Sequence, residues 1–511
     1  MNGLPSANGK DGIQKVFFTL VILFVAYQMS VLSLNINSPL RFAAISFVII
    51  GLISYIFWEK ALSFLFLWII FSGVFRKWIF PNLEEVIFLF NYVILGGAFA
   101  RYFIKQLMNR EKIVIKHPVN AFIVFQLAWA VACMFNPNLP NPLVSILGLV
   151  IHFSYIPIIY VIPQIITSKE QLLKLFRMFV YISVPVMVLG MVQFFFPYDH
   201  PINQYVSNTG SHEIATIGGH ARVTSTFAYL SGYATYLSIL IFVVAYLLSL
   251  KRISFRFNMF LFIILGFGLL SILTTGSRGT TTYTALSIII YSFLAGVLNK
   301  EFFRKFIFRI ILGVTVVFLF FTSLPIGRSI VEAFMARAND SQDIVPRLVE
   351  TYTTPFRLAS ICNFYGFGLG ITYQGSGILG NDLARMQIIT GGFEEEPERV
   401  VIEMGVTGFI LVYSLRALFI IFFWMLYKKL KDPDLRFLAL ISIFFQFQFL
   451  GISSVFFNTS NASFYWFVIS FLYLLPKLDA QKVEQEVKNE NPFFVKTPSF
   501  SWRPARFPRF Q

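Results

Sequence analysis

The chain has 511 residues, 57% of them hydrophobic and only 13% charged, with 63 Phe, 22 Tyr and a formal net charge of +16. A mean hydropathy of +0.71 excludes an ordinary soluble enzyme and points to a polytopic membrane protein. The two cysteines, Cys133 and Cys362, one in an apolar run and one in a predicted loop, leave no disulfide framework and no thiolate metal site.

Residues 1–15 are polar, and the apolar run from Val16 to Leu34 has no small-residue cleavage pattern after it, so it reads as a first span and not a removable signal. At about 20 apolar residues per crossing, spans are expected to begin near Val16, Phe42, Ala61, Leu83, Pro118, Leu143, Leu173, Val223, Phe257, Thr280, Phe306, Val400, Phe437 and Ala462. The predicted fold is therefore all-α, with about 14 transmembrane helices over residues 16–476. Every second connection, from Glu59 and Lys60 to the run Lys428, Lys429, Lys431 and Arg436, is basic. By the positive-inside rule both termini are expected to be cytoplasmic. The positive charge is then a topology signal, and no nucleic-acid partner is implied. The segment 477–511, rich in Pro, Phe and Arg, reads as a disordered cytoplasmic tail able to touch anionic lipid.

Two long connections, 197–221 and 325–398, fall on the outer side in this topology, where loops of such length are usually functional. The basic residues in and beside them are all arginine: Arg222, Arg328, Arg337, Arg347, Arg357, Arg385 and Arg399, with Arg278 in a short outer turn. The planar guanidinium fork suits bidentate recognition of phosphate. Arg222 is read as the start of a span in Arg222-Val-Thr-Ser-Thr-Phe. Arg278 lies in a turn with almost no competing acid, where Gly276 and Gly279 free backbone N–H groups for an anion. The run from Arg357 to Gly370 joins an amphipathic segment to glycines that let backbone approach a ligand.

The stretch Gly391–Gly408 gathers most of the closely spaced acids. Pro397 is expected at the first helical position, placing Glu394, Glu395 and Glu396 at the positive end of the helix dipole. Arg399 and Glu403 fall one turn apart on one face, and Gly405 with Gly408 leaves a smooth strip for a neighbouring helix. Arg416, inside a span, must pair inward, and Glu84 or Glu85 is the expected partner. His200, His212 and His220 have no zinc spacing, so no metal and no cofactor is expected. The chain has no inverted repeat, P-loop, nucleophile elbow or dinucleotide fingerprint.

Four motifs in order, Arg222 to Phe227, Ser277-Arg278-Gly279, Gly366-x-Gly368-x-Gly370 and Glu403-x-Gly405-x-x-Gly408, resemble those of the bacterial O-antigen polymerase and O-antigen ligase family. The likeness covers roughly Arg222 to Gly408. It implies a C-type glycosyltransferase architecture in the bacterial inner membrane, with a site open to the outer leaflet. The implied substrate is an undecaprenyl-diphosphate-linked oligosaccharide, with a flippase and a chain-length regulator as possible partners. In the ligase branch a histidine stands eleven positions before the first glycine of Gly-x-x-Gly, and here Glu394 stands there, followed by Glu395. That departure favours a polymerase over a ligase that passes a finished glycan to a lipid or protein; a lipid-linked oligosaccharide transporter is a third alternative. The expected chemistry is metal-independent inverting transfer, with Glu394 or Glu395 as general base. Arg222 and Arg278 would hold the leaving diphosphate, and Arg347, Arg357 or Arg399 would add further contacts.

Overall fold

The computed structural model describes residues 39–206, 214–250, 254–298, 319, 323–339, 344–393, 395–451 and 453–490. The expected spans near Val16 and Phe306, Glu394, His212 and the tail beyond Glu490 lie outside them. The chain is mostly helical. In order come α1 (Pro39–Ile56), α2 (Trp58–Val74), α3 (Glu84–Met108), α4 (Val119–Cys133), α5 (Pro142–Phe153), α6 (Ile158–Ile165) and α7 (Lys169–Phe195). Then follow α8 (Leu230–Ser249), α9 (Phe255–Thr274), α10 (Arg278–Leu298), α11 (Pro325–Asn339), α12 (Ile344–Cys362) and α13 (Leu383–Thr390). The last are α14 (Glu396–Lys429), α15 (Pro433–Phe447), α16 (Thr459–Ile469) and α17 (Phe471–Glu490).

Polar side chains at the boundaries start these helices by taking up first-turn N–H groups that have no carbonyl before them. Asn141, Ser168, Ser254, Asp432 and Asn458 do so for α5, α7, α9, α15 and α16. Eight helical stretches among the described residues are long and apolar enough to cross a membrane. The expected spans near Phe42 and Pro118 correspond to shorter apolar helices. α8 is the centre of the bundle: Tyr233, Tyr236 and Tyr246 are fully buried, and it packs against α7, α9, α10, α15 and α16. On α4, by contrast, Phe122, Val124, Phe125 and Val131 are exposed, an apolar face of the kind that meets lipid.

Several expectations are corrected. The connection 325–398 is not a plain loop, since it contains α11, α12 and α13, and Cys362 closes α12. Both cysteines are buried and free. The segment Arg222–Tyr229 does not begin a span. Its backbone donors are committed elsewhere, Val223 N–H to the Thr274 carbonyl and Ser225 N–H to the Gln193 side chain, and helix begins only at Leu230. Just before it, β1 (Thr216–Ile217) and β2 (His220–Ala221) form a minimal antiparallel hairpin.

The largest departure is in α14. Gly405 adopts φ 68° and ψ −173°, which breaks the helix. Any side chain there would be strained, and its Cβ would lie 2.3 Å from the Phe364 carbonyl carbon. The backbone groups released by the break are taken up by the segment after α12. Val406 and Thr407 N–H donate to the Asn363 and Phe364 carbonyls, and Phe367 and Gly368 N–H donate to the Ile402 and Glu403 carbonyls. Trp129 Nε1 donates to the Met404 carbonyl. The neighbour that approaches Gly405 is therefore the irregular turn after α12 and not another helix. The ion pair between Glu396 and Arg416 measures how sharp the break is. In a straight helix residues 20 positions apart stand about 30 Å apart, so α14 folds back at Gly405 into two arms closed by this pair.

Candidate functional site

Two polar constellations stand out. The first is a corner where the chain before α8 meets the α9–α10 turn. Val223 N–H donates to the Thr274 carbonyl at 3.1 Å, and Arg222 Nε donates to the Thr275 carbonyl at 3.0 Å. Gly276, at φ 61°, lets the turn pass beneath the arginine, since a Cβ there would lie 2.9 Å from Arg222 Nε. Gly276 N–H is spent on the Leu273 carbonyl and Ser277 N–H on Thr275 Oγ1. Donors without an intrahelical acceptor are expected not at Gly276 but in the first turn of α10, where Arg278, Gly279 and Thr280 open the helix. Arg278 Nη1 is buried and has no hydrogen-bond partner among the described residues. A helix N-terminus beside a guanidinium nitrogen has the electrostatics to attract an anion. Tyr205 steadies the corner by donating its hydroxyl to the Arg222 carbonyl. Burial pushes the Tyr205 phenol up against the opposing pull of Arg222, so it stays protonated.

The second constellation is built on the first arm of α14 and the loop after α12. Arg399 and Glu403 do share a face, and both reach Thr372. Glu403 Oε1 accepts from Thr372 Oγ1 at 2.6 Å and Thr372 N–H at 3.2 Å, while Arg399 Nη2 donates to the Thr372 carbonyl at 2.8 Å. The other carboxylate oxygen, Oε2, lies 2.9 Å from His152 Nε2, and both side chains are fully buried. The His152 ring stacks on Phe456 at 4.2 Å, and the Arg399 guanidinium sits 4.1 Å from the Phe457 ring centroid. Phe456 and Phe457 are held in place by Glu396, whose Oε2 accepts from Ser454 Oγ, Val455 N–H and Phe456 N–H at 2.9, 2.5 and 2.7 Å.

Arg416 pairs with Glu396, not with Glu84 or Glu85, because the fold-back at Gly405 brings the start of α14 to it. Pro397 occupies the second helical position and not the first. Glu395 is the exposed N-cap of α14, with its N–H on the Glu398 carboxylate. Arg357 is exposed on α12, and Arg347 lies on the same helix with its side chain outside the described set. In the run Gly366 to Gly370 two glycines approach backbone, Gly370 against Gly148 and Gly366 against Gly405, and Gly368 approaches the Leu139 side chain. His200 caps a short 3₁₀ turn, and His220 stacks on Phe194. The residue missed in the sequence is His152. An ionisable side chain within an apolar run was the available signal.

Compared with protein-family models and with curated protein sequences, the chain matches neither.

Proposed function

We propose that this protein is a membrane glycosyltransferase that polymerises undecaprenyl-diphosphate-linked oligosaccharide repeats at the outer face of the bacterial inner membrane. The observation that carries the reading is the Arg222–Arg278 corner, where a helix N-terminus lies beside a buried guanidinium nitrogen that has no hydrogen-bond partner among the described residues, a donor set suited to a phosphate-type anion. An acceptor sugar hydroxyl attacks the anomeric carbon of the donor repeat, the bond from that carbon to the diphosphate oxygen breaks, and the lipid diphosphate leaves with the bonding electrons. A carboxylate takes the hydroxyl proton. Glu395, exposed at the N-cap of α14, is the described candidate for that role; Glu394 lies outside the described residues. Fixed cations at the leaving group stabilise the charge that develops there, and one such contact is worth on the order of a hundred-fold in rate.

The test is the lipid-linked glycan profile of cells carrying Arg278→Ala, beside wild type and a deletion, with membrane protein level checked. Accumulation of single repeats on undecaprenyl diphosphate in both variant and deletion is expected. Long lipid-linked chains in the deletion, with only their onward transfer lost, would overturn the polymerase reading in favour of a ligase.

A further inference from the structure

Arg399 and Glu403 are four residues apart on the first arm of α14, the spacing at which an arginine and a glutamate ordinarily pair along a helix. Here they do not. The ion pairs among the described residues include Glu403 with His152, and Arg399 takes part in none of them. Glu403 is fully engaged: one oxygen faces His152 Nε2 at 2.9 Å, and the other accepts from the Thr372 hydroxyl and N–H. His152 comes from α5 and Thr372 from the loop after α12, so two separate elements hold the carboxylate away from its natural partner. Among the described residues Arg399 has one hydrogen bond, to the Thr372 carbonyl, and its buried Nε has no partner. The rings of Phe457 and Phe393, with centroids 4.1 and 5.6 Å from its Cζ, fix the guanidinium plane. Stacking of this kind orients a guanidinium without using its N–H groups.

We propose that His152 and Thr372 are positioning residues that sequester Glu403, so that Arg399 stays free to bind a phosphate-type anion of the substrate. The proposal rests on the glycosyltransferase reading, in which that anion is the diphosphate of a lipid-linked sugar. Neither His152 nor Glu403 is exposed, so neither is positioned to touch substrate. Their effect is exerted through the state of Arg399. A guanidinium paired with a carboxylate has its charge offset and part of its donor fork taken up before a diphosphate arrives.

The diagnostic is a reversal of sign. His152→Leu releases Glu403, which is then one helical turn from Arg399 and pairs with it. Adding Glu403→Gln removes the competing charge and frees Arg399 again. The experiment measures binding of farnesyl diphosphate and, separately, of inorganic diphosphate to the full-length protein in nanodiscs. The panel is wild type, His152→Leu, His152→Leu/Glu403→Gln, Arg399→Ala and Arg278→Ala, each with its melting midpoint recorded. The expected result is a loss of about tenfold or more for His152→Leu, a recovery towards wild type in the double variant, and a loss in Arg399→Ala. A double variant that binds more weakly than His152→Leu overturns the proposal, because a merely structural histidine predicts added damage. Wild-type affinity in His152→Leu overturns it as well. If Arg278→Ala weakens binding while the His152 variants do not, this inference fails and the functional reading stands. If wild type binds neither probe, both fall. Equal affinity for the two probes supports the anion site but removes the lipid from the functional reading.

Discussion

Replacing Glu396 by Gln should destabilise the protein far more than replacing Arg416 by Met, although the two residues are partners in one buried ion pair. The asymmetry follows from what each is left with. Without Arg416, the Glu396 carboxylate keeps three donors, Ser454 Oγ and the N–H groups of Val455 and Phe456. Without the Glu396 charge, the Arg416 guanidinium keeps the Phe449 carbonyl at 2.7 Å and the faces of Tyr413, Phe456 and Tyr465. None of these is an anion, and the residue is only 3% exposed. An uncompensated buried charge costs roughly 3–5 kcal/mol. A carboxylate that retains charge-assisted hydrogen bonds is penalised less, so Arg416→Met is expected to cost on the order of 2 kcal/mol. Removing both charges, in Glu396→Gln/Arg416→Met, should restore part of the loss. The measurement is unfolding of the purified protein against increasing sodium dodecyl sulfate, followed by tryptophan fluorescence. Equal losses for the two single variants, or a double variant worse than Glu396→Gln, would refute the reasoning.

Gly405→Ala is expected to lose roughly 1–3 kcal/mol from backbone strain alone, and more from the overlap with Phe364, whereas Gly96→Ala, with open space around it, should be near neutral in the same unfolding assay. Acid should destabilise the end of the bundle that holds α4 and α15 in two steps. Burial, with Lys429 nearby, lowers the His117 pKa to about 4 in the folded state. The unfolded chain therefore binds that proton first, and stability falls as pH drops from about 6.5 towards the folded value. His117 Nδ1 accepts from Val119 N–H at 3.3 Å, so its protonation also removes that bond. Asp432 responds at lower pH: burial works to raise its carboxyl, but the hydrogen bonds from Lys169 and Asp434 N–H and the charge of Lys482 hold it below the usual range. Its contribution is present above the unfolded carboxylate value and is lost as pH falls through the folded one. A pH series of melting midpoints for wild type and His117→Phe checks this, with only the upper step expected to vanish in the variant.

Much of the helical organisation was legible because it depends on local composition: apolar runs bounded by Ser, Asn and Asp caps became helices. The shared face of Arg399 and Glu403 was legible for the same reason, since helical spacing alone dictates it. What Glu403 actually meets was not, because His152 lies 251 residues earlier and no spacing rule reaches that far. Arg416 illustrates the boundary between the two. Its need for an inward partner follows from the cost of a buried charge. The identity of the partner depends on Gly405, and a straight-helix reading places Glu396 too far away to be considered. Gly405 itself was recognised as a point of close approach, but local sequence does not separate a packing glycine from a hinge. The Arg222 segment failed as a span start because long-range hydrogen bonds to Thr274 and Gln193 outweighed its apolar neighbours.

The fold-back at Gly405 also bears on how α14 fits a bilayer. Its 34 residues laid end to end would extend about 51 Å, far beyond a hydrocarbon layer of roughly 30 Å. The arm from Val406 to Lys429 alone is about 36 Å long and suffices for the crossing. The arm carrying Glu396, Arg399 and Glu403 then has no thickness to traverse. It lies against His152, Thr372 and Arg416, and its irregular apex is buried in protein, a setting in which broken backbone is tolerated at membrane depth. A hydropathy count scores the whole stretch as a single span, although about a quarter of the helix is not needed for one crossing.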